Sequence, residues 1–234
     1  MSVELRVNAI RGFITGCKAD GTWNAIKACC ILAGWDGLTG ALVPLKGTAP
    51  TNFNFVGGDY SRTTGLVGDG TTKYLDSNRN NNADPQDSKH ISGYATTRST
   101  EASVRSYMGT TFASGTAYSS QLITGVVASK LSARLHDATT STSTGNLHSA
   151  NGFFAASRNN SSNYAIRGSS IAETITIASN PPNSNNIYVF GRNFDGIPNL
   201  YSDARLAFYS IGESVDLALL DARVTTLMNA LGSI

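Results

Sequence analysis

The chain has 234 residues, a formal net charge of +2 and only 15% charged residues, well under the roughly 25% of an ordinary soluble domain. Lys and Arg are scattered, so the basic stripe of a nucleic-acid binder is missing, and no apolar run reaches the roughly 18 residues of a membrane helix. Cys17 and the adjacent Cys29 and Cys30 suggest neither a disulfide framework nor a CxxC zinc pair, and read as buried free thiols of a reducing compartment.

Val3, Val7, Ile10 and Ile14 recur at spacings of four, three and four, which predicts an opening helix with one apolar face. Gly16 and Asp20-Gly21 break it. Thr22 then caps an expected second helix with Trp23, Ile26, Cys30 and Ala33 on its apolar face, ended by Gly34, Gly37 and Gly40. Residues 1–45 therefore read as a helical attachment segment ahead of a domain spanning 46–234. The stripes either fold back onto that domain or form a docking interface, with Val3, Val7, Ile10, Ile14, Trp23 and Ile26 as the interface candidates. Met1 to Asn8 lacks the basic start and apolar core of a secretory signal, so assembly in a cytoplasm is expected.

From Leu42 onward, short β-like runs alternate with Gly, Asn, Ser, Thr and Pro clusters. The expected strands are Asn52–Val56, Tyr74–Asp76, His90–Tyr94, Gln121–Val127, Lys130–His136, Gly152–Ser157, Tyr164–Ile166, Glu173–Ile177, Ile187–Arg192 and Ala204–Ile211. That rhythm predicts a mainly β sandwich or barrel. Thr174 to Ile177 alternates as a half-buried strand does. In the last strand, strict alternation places Leu206 and Phe208 on one face and Ala207, Tyr209 and Ile211 on the other. A closing helix over 214–231 is capped by Ser214 or Asp216 and carries the stripe Leu217, Leu220, Val224, Leu227 and Leu231.

Two segments carry a resemblance. Gly65 to Asp76 reads GLVGDGTTKYLD, and Ala204 to Ser214 reads ARLAFYSIGES before the final helix. Together they resemble the concanavalin-like, laminin-G-like jelly roll, in which such strands open and close an antiparallel two-sheet sandwich. The stretch from Trp23 to Asp87 is similar to a group of tailed-phage and marine viral structural proteins. The resemblance covers nearly the whole chain and is weakest from Ser99 to Ser149. It implies a virion protein: a capsid decoration or cement subunit, a tail fibre or spike component, or a receptor-contacting tip. Other virion proteins are then the expected partners. A homo-oligomer, by analogy a trimer, is expected, and for a tip module a host-surface glycan.

Some concanavalin-like proteins are glycosidases, which need two opposed carboxylates. Here the glutamates are Glu4, Glu101, Glu173 and Glu213, and none has an Asp two residues on. His90, His136 and His148 occur without a G-x-S-x-G elbow, so no catalytic residue is assigned and no enzyme activity is expected. Asp76, Asn78, Asn80, Asn82, Asp84 and Asp87 stand at positions 1, 3, 5, 7, 9 and 12 of a calcium-loop spacing. Asn81 replaces the turn glycine and Asp87 the bidentate Glu, and the competing reading is an Asn-rich loop bonding its own backbone. No other cofactor is expected. For a sugar, Tyr60, Tyr107, Tyr118, Tyr164 and Tyr201 are the stacking candidates, against a reading as half-buried strand-end tyrosines.

Overall fold

Ile26–Ile31 shows how the layers arise in the computed structural model, which describes residues 2–112 and 118–232. Ala28 and Cys30 of this strand face one apolar cluster, while Ile26, Cys29 and Ile31 face another. A strand that is apolar on both sides belongs to the middle of three layers.

In chain order the elements begin with α1 (Val3–Ala19), β1 (Ile26–Ile31), α2 (Leu38–Ala41), β2 (Thr51–Phe53), β3 (Tyr60–Ser61), β4 (Gly65–Val67) and β5 (Tyr74–Asn80). They continue with β6 (Lys89–Thr97), β7 (Arg105–Thr111), β8 (Ser119–Thr124), β9 (Ser132–Asp137), β10 (Ser141–Thr142), β11 (Gly152–Arg158), β12 (Asn163–Gly168) and β13 (Ile171–Thr176). The last are β14 (Asn186–Val189), β15 (Arg192–Phe194), β16 (Ile197–Asn199), β17 (Arg205–Gly212) and α3 (Leu217–Ala230). The first sheet runs β13-β12-β11-β6-β17-β4-β3, with β1 also paired to β17. The second runs β10-β9-β8-β7-β14-β5-β2. Pairings between these strands are antiparallel except that β15 joins β7 in parallel and carries β16 as a hairpin. The protein is thus a mainly β, two-sheet sandwich with N- and C-terminal helices. One apolar cluster fills the space between the sheets, and a second lies between the first sheet and the helices α1 and α3. Those helices leave the outer face of the second sheet uncovered. Among the described residues, no helix is long and apolar enough to cross a membrane.

The closing helix forms as its stripe predicts. Leu217, Leu220, Val224, Leu227 and Leu231 are all buried, and the Asp216 carboxylate caps the N–H groups of Ala218 and Leu219. Helix α1 runs on through Gly16 to Ala19, and the Arg223 side chain lies against that bare position on its way to Asp20, at 2.7 and 2.9 Å. The two segments behind the jelly-roll resemblance are neighbours: β4 and β17 pair Val67 with Arg205 and Leu66 with Leu206. Gly65 has φ +89, and a Cβ there would stand 2.1 Å from the Leu206 carbonyl oxygen. A side chain would be both strained and blocked.

Three expectations are corrected. The second helix is the strand β1, so residues 1–45 are no separate attachment segment: their strand is part of the first sheet. A short apolar run such as IKACCI does not distinguish a buried strand from a helix by periodicity. Ile26 is therefore core, 0% exposed, and is not an interface residue; Trp23 is half-buried with the Lys46 ammonium over its ring. In β17 a register shift between Leu206 and Phe208 breaks the alternation. Leu206, Tyr209 and Ile211 consequently face the inter-sheet core, and Ala207 and Phe208 face the helices.

Candidate functional site

The open face of the second sheet is built by strand alternation. In β5, Leu75 enters the core, so Tyr74 and Asp76 point outward; in β14, Ile187 and Val189 enter it and Tyr188 points outward. Phe53 on β2 pairs with Tyr74, and their rings stack at 4.4 Å between centroids with planes 4° apart. Tyr188 lies 4.7 Å from Tyr74 on its other side, and Tyr201 lies 6.2 Å from Tyr74. The rings of Phe53, Tyr74 and Tyr188 therefore form one row, with Tyr201 beside Tyr74. Phe53 is 37% exposed, and Tyr74 and Tyr188 are each 8% exposed.

Polar groups border this row. Asp76 stands opposite Tyr188 in register and accepts from the Asn78 N–H at 2.8 Å and the Asn186 amide at 3.2 Å. Burial pushes the Tyr188 phenol up to about 12, with the Asp76 charge adding to the shift, so it remains a hydrogen-bond donor at neutral pH. On the other side Arg192 donates from Nε to Asn199 at 3.0 Å and from Nη1 to Gln121 at 3.2 Å. A row of rings beside carboxylate, amide and guanidinium groups can hold a ligand that is apolar on one face and rich in hydroxyls at its edge.

Of the tyrosines singled out from sequence, only Tyr201 adjoins this row. Tyr107 and Tyr164 are buried core residues and are corrected as ligand candidates. Tyr107 stacks on Phe154 and donates to His148 Nε2 at 2.6 Å; Tyr164 donates to the Ala133 carbonyl. Tyr60 is tied to the Trp35 backbone, and Tyr118 is half-buried with its backbone bridged to Pro182. Phe53, Tyr74 and Tyr188 were missed, although the alternations Tyr74-Leu75-Asp76 and Asn186-Ile187-Tyr188-Val189 carried the signal.

The calcium-loop candidates go to different places. Asp76 lies on the open face, while Asp84 is fully buried between Lys89, at 2.7 Å, and Arg79. Asn78 donates to the Ala49 carbonyl and Thr51, the Asn80 side-chain Oδ1 accepts from the Asn82 N–H, and Asp87 accepts from the Ser179 hydroxyl. Among the described residues no three His, Cys, Asp or Glu side chains converge as a metal group. The glutamates are also dispersed: Glu101 binds His148, Glu173 accepts from the Thr144 and Gly145 N–H groups, Glu213 pairs with Lys27, and Glu4 is exposed on α1.

No protein-family model and no curated protein matches this chain. Among solved structures, the botulinum neurotoxin serotype D binding domain is similar over 87% of this chain and 51% of that chain, with a TM-score of 0.54 and 9% identity. The Ruminococcus gnavus IT-sialidase CBM40 matches 58% of this chain and 82% of its own, at TM-score 0.44 and 11% identity. The NanB sialidase from Streptococcus pneumoniae matches over 61% of this chain but only 24% of that chain, at TM-score 0.45 and 10% identity. At such identities the toxin-domain likeness speaks to the sandwich fold alone.

Proposed function

We propose that this chain is a non-catalytic contact module whose open sheet face binds a glycan, set on the surface of a virion. The observation that carries the glycan reading is the ring row Phe53–Tyr74–Tyr188, with Tyr201 beside Tyr74, flanked by Asp76, Asn186 and Arg192. The virion setting is supported by the likeness of Trp23 to Asp87 to phage structural proteins. A glycan array followed by calorimetry on any sugar retained tests the reading. Phe53→Ala and Tyr201→Ala are each expected to weaken binding about tenfold or more, or about 1.4 kcal/mol. Leu219→Ser, on the exposed side of α3, is expected to change nothing. Absence of any bound glycan, or full affinity in both aromatic variants, sinks it.

The same module assembles, on a second reading, through α1. Val3, Leu5 and Val7 are 66%, 60% and 45% exposed, and Val3, Val7, Ile10 and Ile14 line an apolar groove of about 540 Å³ beside Trp35. Their four-three-four spacing is that of a helix–helix seam. Glu4 and Arg11 lie seven residues apart on one flank, exposed and unpaired among the described residues. A second copy packed antiparallel places Glu4 of each helix against Arg11 of the other, twice by symmetry. Light scattering is expected to show a self-associated protein that Val7→Asp dissociates. Glu4→Arg alone weakens it and Glu4→Arg with Arg11→Glu restores it. A wild-type monomer at high concentration contradicts the assembly.

A further inference from the structure

Beside the ring row, one cross-strand line carries a second chemistry. Arg134 on β9 pairs with Gln121 on β8, Gln121 with Gly109 on β7, and Gly109 with Arg192 on β15. Leu122, Ala133 and Leu135 fill the core side of these strands, so Gln121 and Arg134 lie on the open face. Gly109 carries no side chain, and the Gln121 stem closes over it: a Cβ there would come within 2.5 Å of Gln121 Cβ. The line thus has two long cationic posts over a low floor of Gly109 and Gln121.

Neither post forms an ion pair among the described residues, although the Asp137 charge reaches Arg134. Arg6, Arg79, Arg105, Arg158, Arg167 and Arg223 all have a carboxylate within ion-pair distance. Arg134 and Arg192 have none among the described residues; their partners are neutral. Arg134 donates from Nε to Thr140 at 2.9 Å and from Nη1 to Ser119 at 3.5 Å. Arg192 uses Nε and Nη1 on Asn199 and Gln121. Nη2 of each makes no hydrogen bond to the described residues. Burial first, and then the like charge of Arg134, hold the Arg192 guanidinium below its ordinary value, so the two cations act on each other. Two guanidiniums without an ion-pair partner, each with a free Nη2 over a neutral floor, match a planar or tetrahedral oxyanion. Tyr188 is also in register with Gly109, so the line adjoins the ring row.

We infer that Arg134 and Arg192 form an oxyanion subsite beside the ring row, so that the preferred ligand is an acidic glycan carrying a carboxylate or a sulfate ester. The subsite rests on the glycan reading and names its ligand class. The sugar ring contacts Phe53, Tyr74, Tyr188 and Tyr201, and the anion two strands away bridges the guanidiniums.

Calorimetry with one oligosaccharide in three forms tests it: neutral, uronic-acid-bearing and sulfated. The wild type is expected to bind at least one acidic form tenfold or more tighter than the neutral form. Raising the salt concentration is expected to narrow that gap. Whichever acidic form gains identifies the anion. In Arg134→Gln/Arg192→Gln the ratio of acidic to neutral affinity is expected to fall to about one. Equal or weaker binding of both acidic forms overturns the subsite, as does a ratio that survives the double substitution. In those outcomes retained neutral binding that depends on Phe53 leaves the glycan reading standing. If no form binds, the glycan reading and the subsite both fall.

Discussion

Replacing Asp84 with alanine is expected to destabilise the protein by about 3–5 kcal/mol, because it strands a buried cation. Lys89 and Asp84 are both 0% exposed at their side chains and meet at 2.7 Å. Burial pushes the Lys89 ammonium down to about 8, and the Asp84 charge works against that fall. Arg79 is the other cation on Asp84, and it repels Lys89. Without the carboxylate, Lys89 keeps, among the described residues, only the Asn81 carbonyl, at 3.3 Å. Lys89→Met is expected to cost less, because Asp84 retains Arg79. Asp84→Leu with Lys89→Met is expected to recover much of the loss, since apolar pairs of similar volume often replace buried ion pairs at little cost. Urea midpoints measure all three. A loss below about 1 kcal/mol for Asp84→Ala contradicts the assignment of an uncompensated charge.

Acidification from pH 7 to pH 4 is expected to remove a comparable amount through two buried histidines. His90 donates from Nδ1 to the Glu213 carbonyl at 2.5 Å and accepts at Nε2 from Ser210 at 2.9 Å, a neutral arrangement. His136 donates from Nδ1 to the Gln86 carbonyl at 2.7 Å, while its buried Nε2 has no partner among the described residues. Burial lowers both to about 4 from an ordinary 6.5, and the Lys89 charge adds to the fall at His136. The unfolded chain takes up these protons near pH 6.5 and the folded one only near pH 4. Between those values the unfolded state binds more protons, so stability falls as pH falls, on the order of 3 kcal/mol for each histidine. Asp137, raised by burial, runs the other way and offsets part of the loss. Urea midpoints at pH 7 and pH 4 test this, with His90→Gln/His136→Gln expected to flatten the slope. Wild-type stability unchanged across that range contradicts it.

The elements legible from sequence are those with one solvent face. The α3 stripe from Leu217 to Leu231 and the alternation around Thr174 to Ile177 survive intact, because a single buried side imposes a clear period. The β1 strand was lost for the opposite reason: covered by helices on one side and the sandwich core on the other, it shows no period. The shift in β17 moved Phe208 across the sheet, and only its partner strands reveal that shift. The candidate site was less legible. Its rings come from β2, β5, β14 and the segment before β17, and each alone looks like an ordinary strand tyrosine or phenylalanine. Alternation separates Leu75 from Tyr74 and Asp76, but the outer face of this sheet stays open because α1 and α3 pack on the other sheet, which no local pattern records. Tyr107 and Tyr164 were attractive beside polar loops, yet both turned inward with their strands. The Asn-rich run from Asn78 to Asn82 had calcium-loop spacing, but its side chains bond backbone and neighbouring loops.

Nuclear magnetic resonance shift mapping of the labelled protein with a retained oligosaccharide asks most directly which surface makes contact. The account predicts perturbations centred on Phe53, Tyr74, Asp76, Tyr188 and Tyr201, extending to Gln121 and Arg192, with α1 and α3 silent. Perturbations confined to α1, α3 or the loops at the ends of the sandwich, with those strand residues unmoved, would contradict it.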